Sequence, residues 1–271
     1  AILHELWVKN RDGNFINIIQ GYTNLKNYIT DSWSRGAIIG RYAGRLTNPL
    51  KVNEKFYEIE NEKGVMLHSG SQGWGKKNWD LVDLLEKKRV ELKYECPAGT
   101  TGFPGKVKAN ISYSLENNKL NIDYSAISES PTHINLTNHA YFNLNNNEPI
   151  GNSYLNINAD KYLELDKNLV PTGKKLLVNK TSLDFRNSKR IGKIRLDDYF
   201  VVNQTNSPVV EFFEPKKIEA FLPEKNVSGL NLPEFLDSLK VGLLAKPFLI
   251  CIRGLFICIP ELKVPHPMPI E

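Results

Sequence analysis

The feature that most constrains this chain is a period-two alternation of apolar and polar residues, repeated in many short runs. It is plainest in Lys106-Val107-Lys108-Ala109-Asn110-Ile111-Ser112-Tyr113-Ser114-Leu115 and in Leu120-Asn121-Ile122-Asp123-Tyr124. Shorter examples are Phe56 to Glu60, Val90 to Tyr94, Tyr154 to Asn158, Tyr162 to Leu165 and Val209 to Phe213. In an extended strand successive side chains point to opposite faces, so each run buries one set and solvates the other. Asn117-Asn118, between the two longest runs, reads as a hairpin turn because Asn tolerates positive φ. Helix-spaced segments are scarce, and only Leu81 to Lys88 and Pro233 to Lys240 are candidates. Many short strands punctuated by Asn, Asp, Gly and Pro predict an all-β fold, a sandwich or a barrel. At 271 residues, with no linker-like shift in composition and no internal repeat, the chain is expected to form one domain over residues 1–271.

Composition then removes several function classes. The net charge is +5, with 35 basic and 30 acidic residues interspersed, so no basic tail points to nucleic acid. Three cysteines cannot make a disulfide framework, and Cys251 and Cys258 lack metal-ligand spacing with a histidine. Reduced thiols in the cytoplasm are the plain expectation. The most apolar stretch, Val241 to Pro260, is broken by Lys246, Pro247 and Arg253. A spanning helix needs about 18 or more apolar residues, so no membrane association is expected. The N-terminus carries no basic leader before an apolar stretch. Five Asn-x-Ser/Thr triplets read as chance occurrences in an Asn-rich chain.

Four stretches could carry chemistry. In Asn135-Leu136-Thr137-Asn138-His139-Ala140-Tyr141-Phe142-Asn143-Leu144, a strand would point Asn135, Thr137 and His139 one way. Such a polar file is costly to bury without partners and fits a cleft wall, the alternative being a solvated edge strand with a surface histidine. In Leu67-His68-Ser69-Gly70-Ser71-Gln72-Gly73-Trp74, a histidine leaves an apolar strand for a Gly-Ser loop that admits a ligand closely. Trp74 and Trp79 beside it could supply flat apolar faces of the kind sugar rings stack on, or could simply pack. Gly40-Arg41-Tyr42-Ala43-Gly44-Arg45 offers two cations whose rigid forks suit hydroxyls or carboxylates. Leu196-Asp197-Asp198-Tyr199-Phe200 places an acidic pair before an aromatic strand, or in an ordinary solvated turn. No phosphate loop, Gly-x-Ser-x-Gly elbow or His-Glu-x-x-His is present. What remains is a His, acid and Arg set suited to general acid–base work on a polar small molecule.

In this order, the stretches resemble the aldose 1-epimerase (galactose mutarotase) family. Gly102-Phe103-Pro104-Gly105, Val170-Pro171-Thr172-Gly173 and Asp184-Phe185-Arg186 add to the match, which runs from residue 1 to about Pro215. The resemblance implies a large antiparallel β-sandwich with a sugar cleft on a concave face. It also implies interconversion of the α and β anomers of free hexoses such as galactose or glucose, with no metal or other cofactor. By the same resemblance His139 is the general acid at the ring oxygen and His68 orients the sugar beside that oxygen. Arg45 and Asp197 bind sugar hydroxyls, and Trp79 lines the site. Position 44 is Gly where many members carry Asn.

The C-terminal third departs from the family. There the catalytic base is a glutamate ending an apolar strand after Cys-Leu, whereas this chain reads Phe256-Ile257-Cys258-Ile259-Pro260-Glu261. Aligning on Cys258 puts Pro260 at the base position and displaces Glu261 by one residue, which turns a strand side chain to the opposite face. Either a bulge returns Glu261 to the cleft as the base, or the chain is a catalytically weak or inactive sugar-binding relative. Both ends also read as short of the family's length. A third possibility, a phosphorylated sugar as substrate, would need a second cation beside Arg45, and Arg41 is the one on offer. A monomer or homodimer acting on a small sugar is expected.

Overall fold

The computed structural model describes residues 1–203 except 11, 86–88, 117–118 and 145–147. It also describes the backbones of three further strands, Val210–Phe213, Ile250–Ile252 and Leu255–Cys258. Among the described residues the fold is all-β, and its helices are single 3-10 turns of three or four residues.

The longest alternating runs build the largest regular sheet. Strands 119–128, 107–116, 89–96 and 80–85 lie side by side in that order, each antiparallel to the next. Val107, Ala109 and Ile111 are buried, while Lys108 and Asn110 between them are exposed, as the alternation requires. Strands 107–116 and 119–128 close on the pair Glu116↔Lys119, so the ladder runs up to the two residues read as a turn, which lie outside the described set. Within the helix candidate Leu81 to Lys88 the described part is not helical, since Asp80–Leu85 is a strand of this sheet, and residues 86–88 lie outside the described set. Short apolar runs carry no periodicity long enough to separate the two states, and here pairing with Arg89–Cys96 decided the matter. Pro233 to Lys240 lies outside the described residues.

A second sheet takes the order 171–177, 161–165, 199–201, 255–258, 250–252, in which Tyr199–Val201 and Leu255–Cys258 run parallel. The strand Tyr199–Val201 is buried on both faces. Phe200 enters the largest apolar cluster with Ile18, Leu155, Ile157 and Phe185, whereas Tyr199 enters a small one with Ala37, Ile39 and Ala43.

The short segment from Gly36 to Thr47 organises the region between these sheets. On one side it pairs with residues 135–139: Thr137↔Ile39 and Asn138↔Ile38 are ladder partners, and the His139 amide donates to Ala37 O at 2.8 Å. The Asn135 amide donates to Arg41 O, and its side-chain amide to Ala43 O at 2.8 Å. On the other side Arg45, Leu46 and Thr47 pair with Leu67, Met66 and Val65.

Arg41 pins this segment from beneath. Its guanidinium is 1% exposed. Nη1 donates to Pro104 O at 2.7 Å, Gly105 O at 2.8 Å and Thr132 Oγ1 at 3.3 Å, and Nη2 to Cys96 Sγ at 3.1 Å and Pro97 O at 3.2 Å. The cation thus ties three loop carbonyls to one point, and none of its contacts faces a ligand. Removing it would leave those buried acceptors unmet. Arg41→Ala is expected to lower unfolding stability by about 3 kcal/mol, read from urea denaturation; a loss below about 1 kcal/mol would show that water replaces the arginine at no cost.

Candidate functional site

The two singled-out histidines reach one another because both of their segments pair with Gly36 to Thr47. His139 follows the two-residue strand Thr137–Asn138, and its backbone is fixed by Ala37 O and by the Gly36 amide, which donates to His139 O at 2.9 Å. Asn138 locks the turn. Its side-chain nitrogen donates to Gly36 O at 2.9 Å and to the Tyr113 hydroxyl at 3.1 Å, while its Oδ1 accepts from the Ala140 amide at 3.0 Å. The solvated edge-strand reading fails here, since Leu136, Thr137, His139 and Ala140 are all buried. The segment is enclosed on both faces, which period-two patterning does not distinguish from a half-exposed strand.

His68 arrives from the opposite side at the end of Val65–Leu67. It begins a run of left-handed residues, with φ of 51° at His68, 64° at Ser69 and 71° at Gly70. Non-glycine residues pay for that conformation, so it persists where surrounding contacts impose it. Ser69 Oγ accepts from the Tyr42 amide at 2.7 Å, and Glu60 accepts from both the Ser71 amide and its hydroxyl at 2.7 Å. The decisive contacts are to Gly44. The His68 amide donates to Gly44 O at 2.9 Å, and His68 Nδ1 accepts from the Gly44 amide at 3.0 Å. An accepting Nδ1 puts the proton of the neutral ring on Nε2.

The rings of His68 and His139 meet edge to face, centroids 5.3 Å apart. Both are held neutral. Burial, then the neighbouring His139 and Arg45, push His68 down to about 3. Burial pushes His139 down to about 4, with a smaller opposing pull from Asp31. Arg45 and Asp197 complete the cluster, with Arg45 Nη2 3.9 Å from Asp197 Oδ2. Burial raises the Asp197 carboxyl, and the positive Arg45 and Arg195 oppose that shift. Arg45 Nη1 is buried and, among the described residues, finds no hydrogen-bond partner. A buried guanidinium nitrogen without a partner is a costly arrangement, and a ligand oxygen would satisfy it.

Other sequence candidates are placed elsewhere. Trp74 is 1% exposed and has no face left for a ligand. Trp79 is half-buried against it, donates from Nε1 to Trp74 O at 3.3 Å and packs on Tyr94 with ring centroids 5.4 Å apart. Arg41 lies in the interior and is no second cation for a phosphate. Glu261 and Pro260 lie outside the described residues. Tyr199, which the sequence offered as part of the stretch Leu196 to Phe200 but not as a site residue, sets its hydroxyl 3.0 Å from where a Cβ on Gly44 would stand. Among the described residues no group of three His, Cys, Asp or Glu is arranged to hold a metal ion, and no helix is long and apolar enough to cross a membrane.

Several known proteins are similar to this chain. The aldose 1-epimerase family model matches residues 1–227. Human galactose mutarotase is 34% identical over 198 residues, covering 72% of this chain and 57% of the relative. The aldose 1-epimerase of Streptococcus thermophilus is 36% identical over 214 residues, covering 74% and 61%. The chain therefore spans about three-fifths of the length of these curated relatives. Among solved structures, an aldose epimerase homologue from C. elegans superposes with a TM-score of 0.75 at 28% identity, covering 80% of this chain and 70% of that one. Galactose 1-epimerase from Lactobacillus acidophilus gives 0.69 at 28% identity, covering 79% and 67%. The fold is thus the galactose mutarotase-like β-sandwich expected from the sequence.

The paired neutral histidines have a thermodynamic signature. Their folded values lie below the ordinary 6.5, so the unfolded chain takes up protons first and stability falls as pH drops below about 6.5. Between pH 6.5 and 5, where ordinary carboxylates are still ionised, urea denaturation should show up to about 1.4 kcal/mol per pH unit for each histidine. His139→Asn should remove about half of that slope. An unchanged slope in the variant would show that His139 is solvated and titrates normally.

Proposed function

Because the chain belongs to the aldose 1-epimerase family, we propose that it interconverts the α and β anomers of free hexoses such as galactose and glucose by acid–base ring opening and closure. The observation that carries this reading is the meeting of His68 and His139 at 5.3 Å beside Arg45, with one guanidinium nitrogen unmet. Four side chains from distant parts of the sequence are gathered into one cluster of hydrogen-bonding groups.

Each group has a chemical task in this reading. A base removes the proton from the C1 hydroxyl, C1 forms its carbonyl, the bond from C1 to the ring oxygen breaks, and that oxygen takes a proton from His139. Rotation about C1–C2 presents the other aldehyde face, and the same steps in reverse close the ring. His68 has its Nδ1 committed to Gly44, so it offers an Nε2 proton to the sugar as a fixed hydrogen-bond donor. Arg45 Nη1 and the Asp197 carboxylate take ring hydroxyls. His139 is neutral in the sugar-free protein, so its acid form requires an anionic group brought close in the reacting complex. The base is assigned to Glu261, which lies beyond residue 227, where the family match ends, so its role rests on the sequence reading alone. We further read the chain as one domain, cytoplasmic, a monomer or homodimer, needing no cofactor and binding neither nucleic acid nor membranes. The +5 net charge, three cysteines and buried free thiol of Cys96 support that.

Polarimetry of freshly dissolved α-D-galactose and α-D-glucose tests the assignment. The protein should accelerate mutarotation, and His139→Asn and Glu261→Gln should each cut kcat by about 10²–10⁴-fold. Retained activity in Glu261→Gln would place the base elsewhere. A folded wild type that binds galactose but leaves the rate at that of buffer would make the chain a binding relative without the chemistry.

A further inference from the structure

An imidazole that hands over a proton has to be held at a fixed angle, and its own bonds do not hold it. The torsion between Cβ and the ring of a histidine is broad and roughly two-fold, so packing has to select one setting. At His139 the backbone is fixed on both sides, the amide donating to Ala37 O at 2.8 Å and the carbonyl accepting from the Gly36 amide at 2.9 Å. The ring is met by two others. His68 stands edge-on at 5.3 Å, and Tyr141 lies against it at a tilt of 40° with centroids 5.1 Å apart.

The Tyr141 ring is anchored at its far end. Its hydroxyl donates to Trp33 O at 3.0 Å, a contact across 108 residues of sequence, while its carbonyl accepts from the Gln20 amide at 2.8 Å. Trp33 is in turn set by Asp31. Asp31 Oδ1 accepts from the Trp33 amide at 3.1 Å and from the Tyr22 hydroxyl at 2.8 Å, and Oδ2 accepts from the Arg35 amide at 2.7 Å. One carboxylate therefore fixes the turn from Asp31 to Arg35, and the next residue, Gly36, is the one that binds the His139 carbonyl. This turn grips His139 by its backbone and, through Tyr141, by its ring.

We propose that Tyr141 is a positioning residue for His139: its hydroxyl, held by the Trp33 carbonyl, keeps the phenol ring against the imidazole and so keeps the imidazole turned toward His68. The proposal rests on the reading of His139 as the proton donor to the ring oxygen. Tyr141 touches no sugar in this role; it sets the angle at which another side chain delivers its proton. Misplacing a reacting group by about 1 Å can cost up to about 10²-fold in rate, and an interaction that acts only in the transition state appears in kcat and not in KM.

Tyr141→Phe removes the anchoring oxygen and keeps a ring of the same shape, so the fold should be retained. For mutarotation of galactose it should lower kcat about fivefold with KM within about twofold. An unchanged kcat would overturn the proposal, and so would a raised KM at constant kcat, which would put the phenol oxygen on the sugar. A readout independent of any sugar separates its failure from that of the epimerase reading. In NMR spectra of the sugar-free protein, the cross-peak between the His139 and His68 ring protons should lose intensity in Tyr141→Phe. The His139 amide, bonded to Ala37, should keep its protection from hydrogen exchange, which shows the backbone intact. Full cross-peak intensity in the variant sinks the positioning role, whether or not the protein turns galactose over. Should Tyr141→Phe fail to fold, Asp31→Asn carries the same test, since it leaves Tyr141 intact and takes one acceptor oxygen from the turn that holds Trp33; full intensity there has the same meaning.

Discussion

The constraint on which the rest of the site depends is the need to satisfy the buried peptide groups of Gly36 to Thr47. A buried N–H or C=O without a partner costs free energy comparable to a lost hydrogen bond. Most of this segment is buried, and it lies between two others, residues 135–139 on one side and 65–69 on the other. Each segment carries one histidine. Meeting the backbone requirement of the central segment on both sides therefore brings His139 and His68 together, although 70 residues of sequence separate them. Their edge-to-face geometry is a by-product of strand pairing before it is a property of the rings.

Side chains then hold the backbone where ladders run out. The pairings here are only two or three residues long, too short to fix a loop by themselves. Asn135 and Asn138 act as surrogate peptides on one side, and Ser69 and Glu60 on the other. Arg41 does the same from below for the turn carrying Pro97 and for the Pro104-Gly105 corner. An arginine is suited to this because its fork supplies several donors in fixed directions and its charge stays on at any physiological pH. The same residue type four positions later performs a different task. Among the described residues each arginine keeps one buried nitrogen unmet, but in Arg41 it is Nε with both terminal nitrogens engaged by the protein, whereas in Arg45 it is the terminal Nη1.

Enclosure also sets the chemistry. Burial keeps both imidazoles neutral by withholding water, so the tautomer of His68, dictated by the Gly44 amide, decides which nitrogen carries a proton toward a ligand. A neutral pair beside a cation favours an uncharged, oxygen-rich ligand that brings its own hydrogen-bonding capacity. Among the described residues the cluster holds one carboxylate, Asp197, already leaning on Arg45. Asp31 also acts on His139 from outside the cluster, and in the proposed reaction the base is Glu261.

The sequence by itself determined the fold class and the members of the cluster. Period-two runs such as 106–115 made strands inevitable, because no helix can bury Val107, Ala109 and Ile111 while exposing Lys108 and Asn110. The uncommon stretches around His68, His139, Arg45 and Asp197 marked the residues that could meet. What the alternation could not convey was depth. It gave Leu81 to Lys88 no unambiguous period, and it could not tell that Thr137 and Leu136, on opposite faces, would both be buried. Nor could it separate Arg41 from Arg45 or Trp74 from Trp79, since each pair shares a residue type and a neighbourhood in sequence. Those distinctions arise from long-range pairing, in which Gly44 faces His68 and Tyr199 at once. Sequence spacing governs which face a side chain takes, and only the packing of distant strands decides what stands opposite it.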